Sequence, residues 1–151
     1  MAEATVAKKL TLKVITPEKI VFETPAREVI LPTTDGMVGI LADHVPYLAP
    51  LKAGELQAKL EAGDKPDKFI SLALDFGVAE FNNNQLTILV GSAARAEEID
   101  LDLAEKARER AQALLKEELK DSEEYTHALA MIEREAAKIK VAAKYRRRFK
   151  V

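Results

Sequence analysis

The chain has 151 residues, 32% of them charged and 48% hydrophobic, with a net charge of −2 and no cysteine. That length can bury a core without staples. The missing cysteines exclude disulfides and thiolate chemistry, the near-neutral charge argues against nucleic acid as the main partner, and no apolar run approaches the ~18 residues of a membrane span. The opening MAEATVAKKL lacks the long apolar core of a secretory signal and is too short and acid-bearing for a transit peptide. A soluble protein that works where it is made, free or docked on something, is therefore expected.

Leu10, Leu12 and Val14 alternate with Thr11 and Lys13 in LTLKVIT, the period-2 pattern of a half-buried strand. KIVFE (Lys19–Glu23) follows across a Pro17-Glu18 turn, and REVILP (Arg27–Pro32) is the next expected strand. GMVGIL, YLAPL, ELQAKLEA, KFISLALD, FGVAEF and QLTILV complete about nine or ten short strands. Turn signals separate them at Asp35-Gly36, Ala53-Gly54, Gly63-Asp64 and Asn82–Asn84. Many short strands with no helix between them predict a β-sandwich or barrel.

Composition changes near residue 93. All six Gly and all six Pro lie before it, and Ala, Glu, Lys, Arg and Leu dominate after it. Two domains are expected, a β-sandwich over 1–93 and a helical hairpin over 94–151. The first helix is expected from about Asp100 to Lys120, with Asp100 as its cap and Ala104, Ala107, Ala111, Leu114, Leu115 and Leu119 on its apolar face. Asp121 and Glu124 form a capping-box-like restart. The second helix carries a stripe of Tyr125, Leu129, Ile132, Ala136, Ile139 and Ala143, a heptad-like spacing. The two would form an antiparallel all-α hairpin. Much of the seam is Ala, and each Ala in place of Leu forgoes about 2 kcal/mol of burial. Such a pair could stay helical while changing partner, as a switch does, or could simply stabilise the domain.

Asp35–Leu56, DGMVGILADHVPYLAPLKAGEL, raises the question of chemistry through adjacent Asp43 and His44. No nucleophile sits in a recognisable elbow, and sequence neighbours rarely aim at one site. Turn chemistry that shapes a surface is the reading the residues favour. Gly36 and Gly39 are followed by no Gly-Lys-Ser/Thr and so form no phosphate loop.

This order of elements, together with that segment, resembles the epsilon subunit of the rotary F-type ATP synthase. The matching pattern is Gly36, Gly39, Ile40, His44, Pro46, Leu48, Leu51 and Gly54, followed by Gly77, Asn84, Leu86, Thr87 and Leu89 and a helix-initiating Ile99-Asp100. The resemblance implies a non-catalytic central-stalk subunit. Its partners would be the gamma subunit, the membrane rotor ring and, when the helices extend, the catalytic alpha/beta head. It would sit peripherally on the cytoplasmic or equivalent face of the coupling membrane, and its helices would inhibit ATP hydrolysis. By the same resemblance Asp35, Met37, Val38, Asp43 and His44 are expected to contact the ring or stalk, with Met37 standing where some members carry an acid. The basic terminal run supplies Lys140, Lys144, Arg146, Arg147 and Arg148 as contacts for acidic surface on the head; Arg forks suit carboxylates.

Some members bind regulatory ATP through Ile/Leu-Asp-x-x-Arg-Ala. Here Ile99 and Asp100 fit but Leu103 replaces the Arg. ATP binding is expected to be weak or absent unless Arg108 or Arg110 compensates. The competing class is a free-standing ligand-binding or enzymatic β-sandwich with a helical oligomerisation tail. It would need an acid/base cleft, for which Asp43-His44 is the available start.

Overall fold

The computed structural model describes residues 8–61, 65 and 67–149. The expected turn at Gly63-Asp64, the first seven residues and Lys150 lie outside the described residues. Nine strands are present among them: β1 (Leu10–Ile15), β2 (Ile20–Thr33), β3 (Gly36–Leu41), β4 (Tyr47–Leu51), β5 (Gly54–Leu60), β6 (Lys68–Leu74), β7 (Gly77–Asn82), β8 (Gln85–Val90) and β9 (Ala93–Arg95). A 3-10 turn (Ala96–Glu98) leads into α1 (Leu101–Glu117) and α2 (Glu123–Phe149).

The pairings sort the strands into two layers. β4, β7, β8, β1 and the first half of β2 form one sheet, and β3, the second half of β2, β5, β6 and β9 form the other. β2 belongs to both, and its far end closes on β4 through Thr33 and Leu51.

KIVFE and REVILP are thus one 14-residue strand, not two. Pro25 between them reads as a break in sequence, yet the strand runs through it for a stated reason. Thr11, opposite Pro25, gives its N–H to Asn84 on the β8 side, so Pro25 faces β1 as a non-hydrogen-bonded pair. Its missing donor points to the side where β5 joins only at Ala26. β9 is a short strand that the sequence reading did not anticipate, and it pairs with β6.

The alternation of the strands delivers the core between the layers. Leu12, Val29, Leu31, Ile40, Leu56 and Leu86 are fully buried, with Phe81 as the largest buried side chain. The β2–β3 hairpin turns at Thr34-Asp35, and Gly36 there has φ +125°, a conformation that strains any residue with a Cβ.

Asp100 caps α1 as expected, its carboxylate accepting from Leu103 N–H at 3.1 Å. Ser122, rather than Asp121, caps α2: its hydroxyl accepts from Tyr125 N–H at 3.1 Å. α1 ends before Leu119, which is 81% exposed.

The helices meet along alanines and one buried acid, Glu135. Ala104 and Ala111 of α1 are buried, as are Ala128, Glu135 and Ala142 of α2, each set spaced by seven. The expected α2 stripe is only half-buried, and Leu129 is exposed. α2 packs on α1 and on β5, β6 and the 3-10 turn at once, so its buried arc lies between two partners. The apolar contact with the sandwich is Val141 against Ala73 and Ala96, flanked by Ile99 and Tyr145. One buried Val contributes about 1.5–3 kcal/mol and Ala methyls less.

Candidate functional site

The expected ring or stalk contacts do not share one surface. Asp35 and Met37 lie at the β2–β3 end, with Met37 exposed and Val38 half-buried on the core. Asp43 and His44 follow the other end of β3, roughly 20 Å away for a six-residue strand.

Asp43 and His44 do not address each other. Asp43 has φ 62°, and its N–H donates to Asn84 Oδ1 at 2.6 Å while Asn84 Nδ2 donates to Asp43 Oδ1 at 2.9 Å. Lys8 completes this clamp between the β3–β4 loop and the β7–β8 hairpin. Hydrogen bonds from Asn84 and Lys8 hold the Asp43 carboxyl below its ordinary value. His44 Nδ1 lies 2.7 Å from the Val45 carbonyl, and its ring stands edge-on to Tyr47 and Phe81 at 5.9 and 5.8 Å. These are the contacts of a rigid turn, and they leave the pair without the geometry of a general-base dyad.

At the start of α1, Ile99 and Asp100 line a groove of about 480 Å³ with Leu103, Ala107, Arg110 and Lys138. Arg108 does not line it. The groove also holds Glu98 and Glu135, and Lys138 Nζ is taken up by Glu135 at 3.2 Å. Three carboxylates against two cations, one of them already paired, make this a poor seat for a polyphosphate. Of the two arginines that could stand in for the Arg absent at Leu103, Arg110 lines the groove and Arg108 does not.

The basic end of α2 is partly occupied by the sandwich. Lys144 Nζ donates to both Glu55 oxygens, at 3.1 and 3.2 Å, and Ser71 Oγ donates to Glu55 Oε1 at 2.9 Å. Burial alone would raise the Glu55 pKa; hydrogen bonds from Ser71, Lys144 and Gln57 outweigh it and hold the carboxyl below its ordinary value. Arg148 lies over the Phe69 ring at 5.6 Å, while Lys140, Arg146 and Arg147 are exposed. Arg134 adds an ion pair to Asp75 at 2.8 Å. Sequence reasoning missed Glu55, Ser71, Asp75 and Arg134, since nothing local links an outward strand carboxylate to a cation on a distant helix.

The other sheet presents a different face. Pro50 is opposite Val78, Val78 opposite Leu89, Leu89 opposite Ile15, and Ile15 opposite Ile20. These pairings align five outward apolar residues in one row across β4, β7, β8, β1 and β2. Ile20 and Leu89 are 51% and 46% exposed, and no element of the described chain covers the row. An adjoining groove of about 430 Å³ is lined by Ile15, Pro17, Phe76 and Leu89 among others. Each strand showed its outward apolar residue in the sequence, but only the register brings them together. A contiguous apolar patch of this kind marks a contact surface.

Comparison with known proteins bears on these features. The family profile "ATP synthase, Delta/Epsilon chain, beta-sandwich domain" matches residues 9–96. The ATP synthase epsilon chain of Syntrophobacter fumaroxidans is 39% identical over 138 residues, covering 91% of this chain and 98% of that one. That of a Synechococcus species is 41% identical over 104 residues, 69% of this chain and 72% of its counterpart. In fold, a chain of the Euglena gracilis mitochondrial ATP synthase, solved with OSCP, F1 and c-ring, matches with a TM-score of 0.73 at 21% identity, covering 95% of this chain and 86% of that one.

Proposed function

The chain belongs to the epsilon-chain family of ATP synthase, and on that premise we propose that it is a non-catalytic subunit of the rotating central stalk whose helices restrain ATP hydrolysis. The observation that carries this reading is the asymmetry of the sandwich. One outer face bears the uncovered apolar row from Pro50 to Ile20, and the other is covered by α2. The apolar face suits a permanent partner, the gamma subunit. The covered face suits an element that comes and goes.

The β2–β3 turn with Asp35 and exposed Met37 would meet the membrane rotor ring, through apolar contact at Met37. The His44 end would brace the stalk, its clamp to Asn84 keeping the surface rigid under torque. Lys140, Arg146 and Arg147, exposed on α2, are free to meet acidic surface on the alpha/beta head when the helices extend, joined by Lys144 and Arg148 once they leave the sandwich. No described helix is long and apolar enough to cross a membrane, in keeping with peripheral attachment at the cytoplasmic or equivalent face.

Two measurements test this. Hydrolysis by the purified synthase is compared with the full chain and with a version ending near Ala96, at matched occupancy. A several-fold rise on truncation is expected, and an unchanged rate refutes restraint by the helices. Leu89→Asp, at an outward position of the row, should lose association with the synthase while keeping its fold. Stoichiometric co-purification of that variant refutes the docking face.

A further inference from the structure

The surface beneath α2 differs from the core in kind. Outward positions of β5 and β6 are Glu55, Gln57, Lys59, Phe69, Ser71 and Ala73, with Asp75 just beyond β6. Two ion pairs cross this face, that of Glu55 hydrogen-bonded and that of Asp75 close in distance but not aligned as a hydrogen bond. Glu55 is 6% exposed and meets Lys144, and Asp75 is 9% exposed and meets Arg134. The apolar contact amounts to Val141, Ala73 and Ala96 with two half-buried neighbours. A surface meant to stay covered would be expected to carry larger aliphatic residues. Apart from Phe69 at its edge, already 53% exposed with α2 in place, the face is polar or small and can be uncovered without presenting a large apolar patch to water.

We propose that α2 is held on the sandwich by an ionic latch, Lys144–Glu55 and Arg134–Asp75, and that this latch sets the balance between docked and released helix. The two cations lie ten positions apart, so the latch grips α2 at two separated points along its length. Removing a carboxylate leaves its cation without a partner on the sheet. Removing Lys144 leaves the Glu55 carboxylate covered with only its sheet partners, Ser71 and Gln57. The same geometry commits Lys144: two of its three donors serve Glu55, so any carboxylate surface that recruits the end of α2 competes with Glu55 for them. Arg148 rests on the Phe69 ring and remains exposed. Arg146 and Arg147, exposed at the end of the docked helix, remain available for first contact.

The latch deepens the regulatory reading above and rests on it for its consequence in the synthase, but its test does not. The chain has no cysteine, so Glu80→Cys on the first sheet and Arg147→Cys on α2 give a unique spin-label pair in the isolated full chain. Distance distributions are then measured by pulsed electron resonance. The parent should give one narrow docked population at low salt. Glu55→Gln and Lys144→Gln should each raise the undocked-to-docked ratio roughly tenfold, a modest figure because Lys144 is 44% exposed and water screens the pair. Raising salt from about 0.05 M to about 1 M should move the parent the same way and the two variants less. Arg146→Gln should change nothing. Reversing both charges, Glu55→Lys with Lys144→Glu, should recover docking lost in either single reversal. The proposal is overturned if Glu55→Gln, Lys144→Gln and high salt all leave the distribution narrow. It is also overturned if the double reversal docks no better than the single ones. Release by Val141→Ala alone, with Glu55→Gln still docked, would assign the hold to apolar packing instead. Should Glu55→Gln lose the circular dichroism of the sandwich, Lys144→Gln, altered on the helix side, carries the test. An unchanged hydrolysis rate on truncation would count against restraint by the helices and leave these distances standing.

Discussion

Gly77→Ala should be among the most damaging single-methyl changes in the sandwich. A Cβ at Gly77 would lie 1.9 Å from the Leu89 carbonyl oxygen and 2.8 Å from both Cα and Cγ1 of Val90. Ordinary contact begins near 3.4 Å, so β7 and β8 must part by about 1.5 Å at this point. The obstacle is backbone and cannot rotate away. Overpacking of this kind costs about 1–3 kcal/mol, and a strained or lost ladder hydrogen bond adds about 1 kcal/mol. A loss of roughly 2–4 kcal/mol corresponds to about 5–15 °C in Tm for a chain of this size. Thermal unfolding followed by circular dichroism measures it, with Gly39→Ala as the internal control. There the nearest atom is Glu28 Oε1 at 3.7 Å. With room for the methyl and less entropy in the unfolded chain, Gly39→Ala should be neutral or stabilising by up to about 1 kcal/mol. If Gly77→Ala melts within about 2 °C of the parent, the close strand approach is not a constraint and this reasoning fails. The same distortion falls beneath Val78 and Leu89, so the variant should also bind the stalk less well.

Asp100→Ala should destabilise the helical hairpin by about 1 kcal/mol, since the carboxylate is the acceptor for Leu103 N–H; faster amide exchange confined to the first turn of α1 would show it, and unchanged exchange would refute the cap. Docking of α2 should weaken in acid. The Glu55 carboxyl is held below the ordinary glutamate range, so its contribution is fully present above that range and is lost as pH falls through the depressed docked value. A spin-label titration below about pH 4.5 should release α2 in the parent, and Glu55→Gln should lack that Glu55-linked step.

The sandwich was legible because each strand buries alternate residues between two layers. Leu10, Leu12 and Val14 announce their face directly, and all three are buried. Continuity of β2 was hidden because a proline signals a break unless the hydrogen-bonding phase is known, and that phase is set by Thr11 on another strand. The α2 stripe misled because periodicity assumes one partner, while this helix shares its surface between α1 and β5–β6. Val141 and Ala142 are therefore both buried although they are adjacent. The apolar row and the pairs of Glu55 and Asp75 depend on register and docking, which a linear pattern does not contain.

The parallel pairing of β1 with β8 has a consequence for how the molecule is made. Thr11 meets Gln85 and Ile15 meets Leu89, so the first strand of the sandwich waits for nearly the last. Its hairpin with β2 can form early, but the layer cannot close until β8 has left the ribosome. Non-local closure of this kind is slow, in the millisecond-to-second range, whereas a helical hairpin built on local contacts forms faster once synthesised. α2 follows every strand in the chain, so it is made after them and lands on strands that have already paired. The surface it meets is complete before it arrives, which separates the making of the sandwich from the seating of the helix.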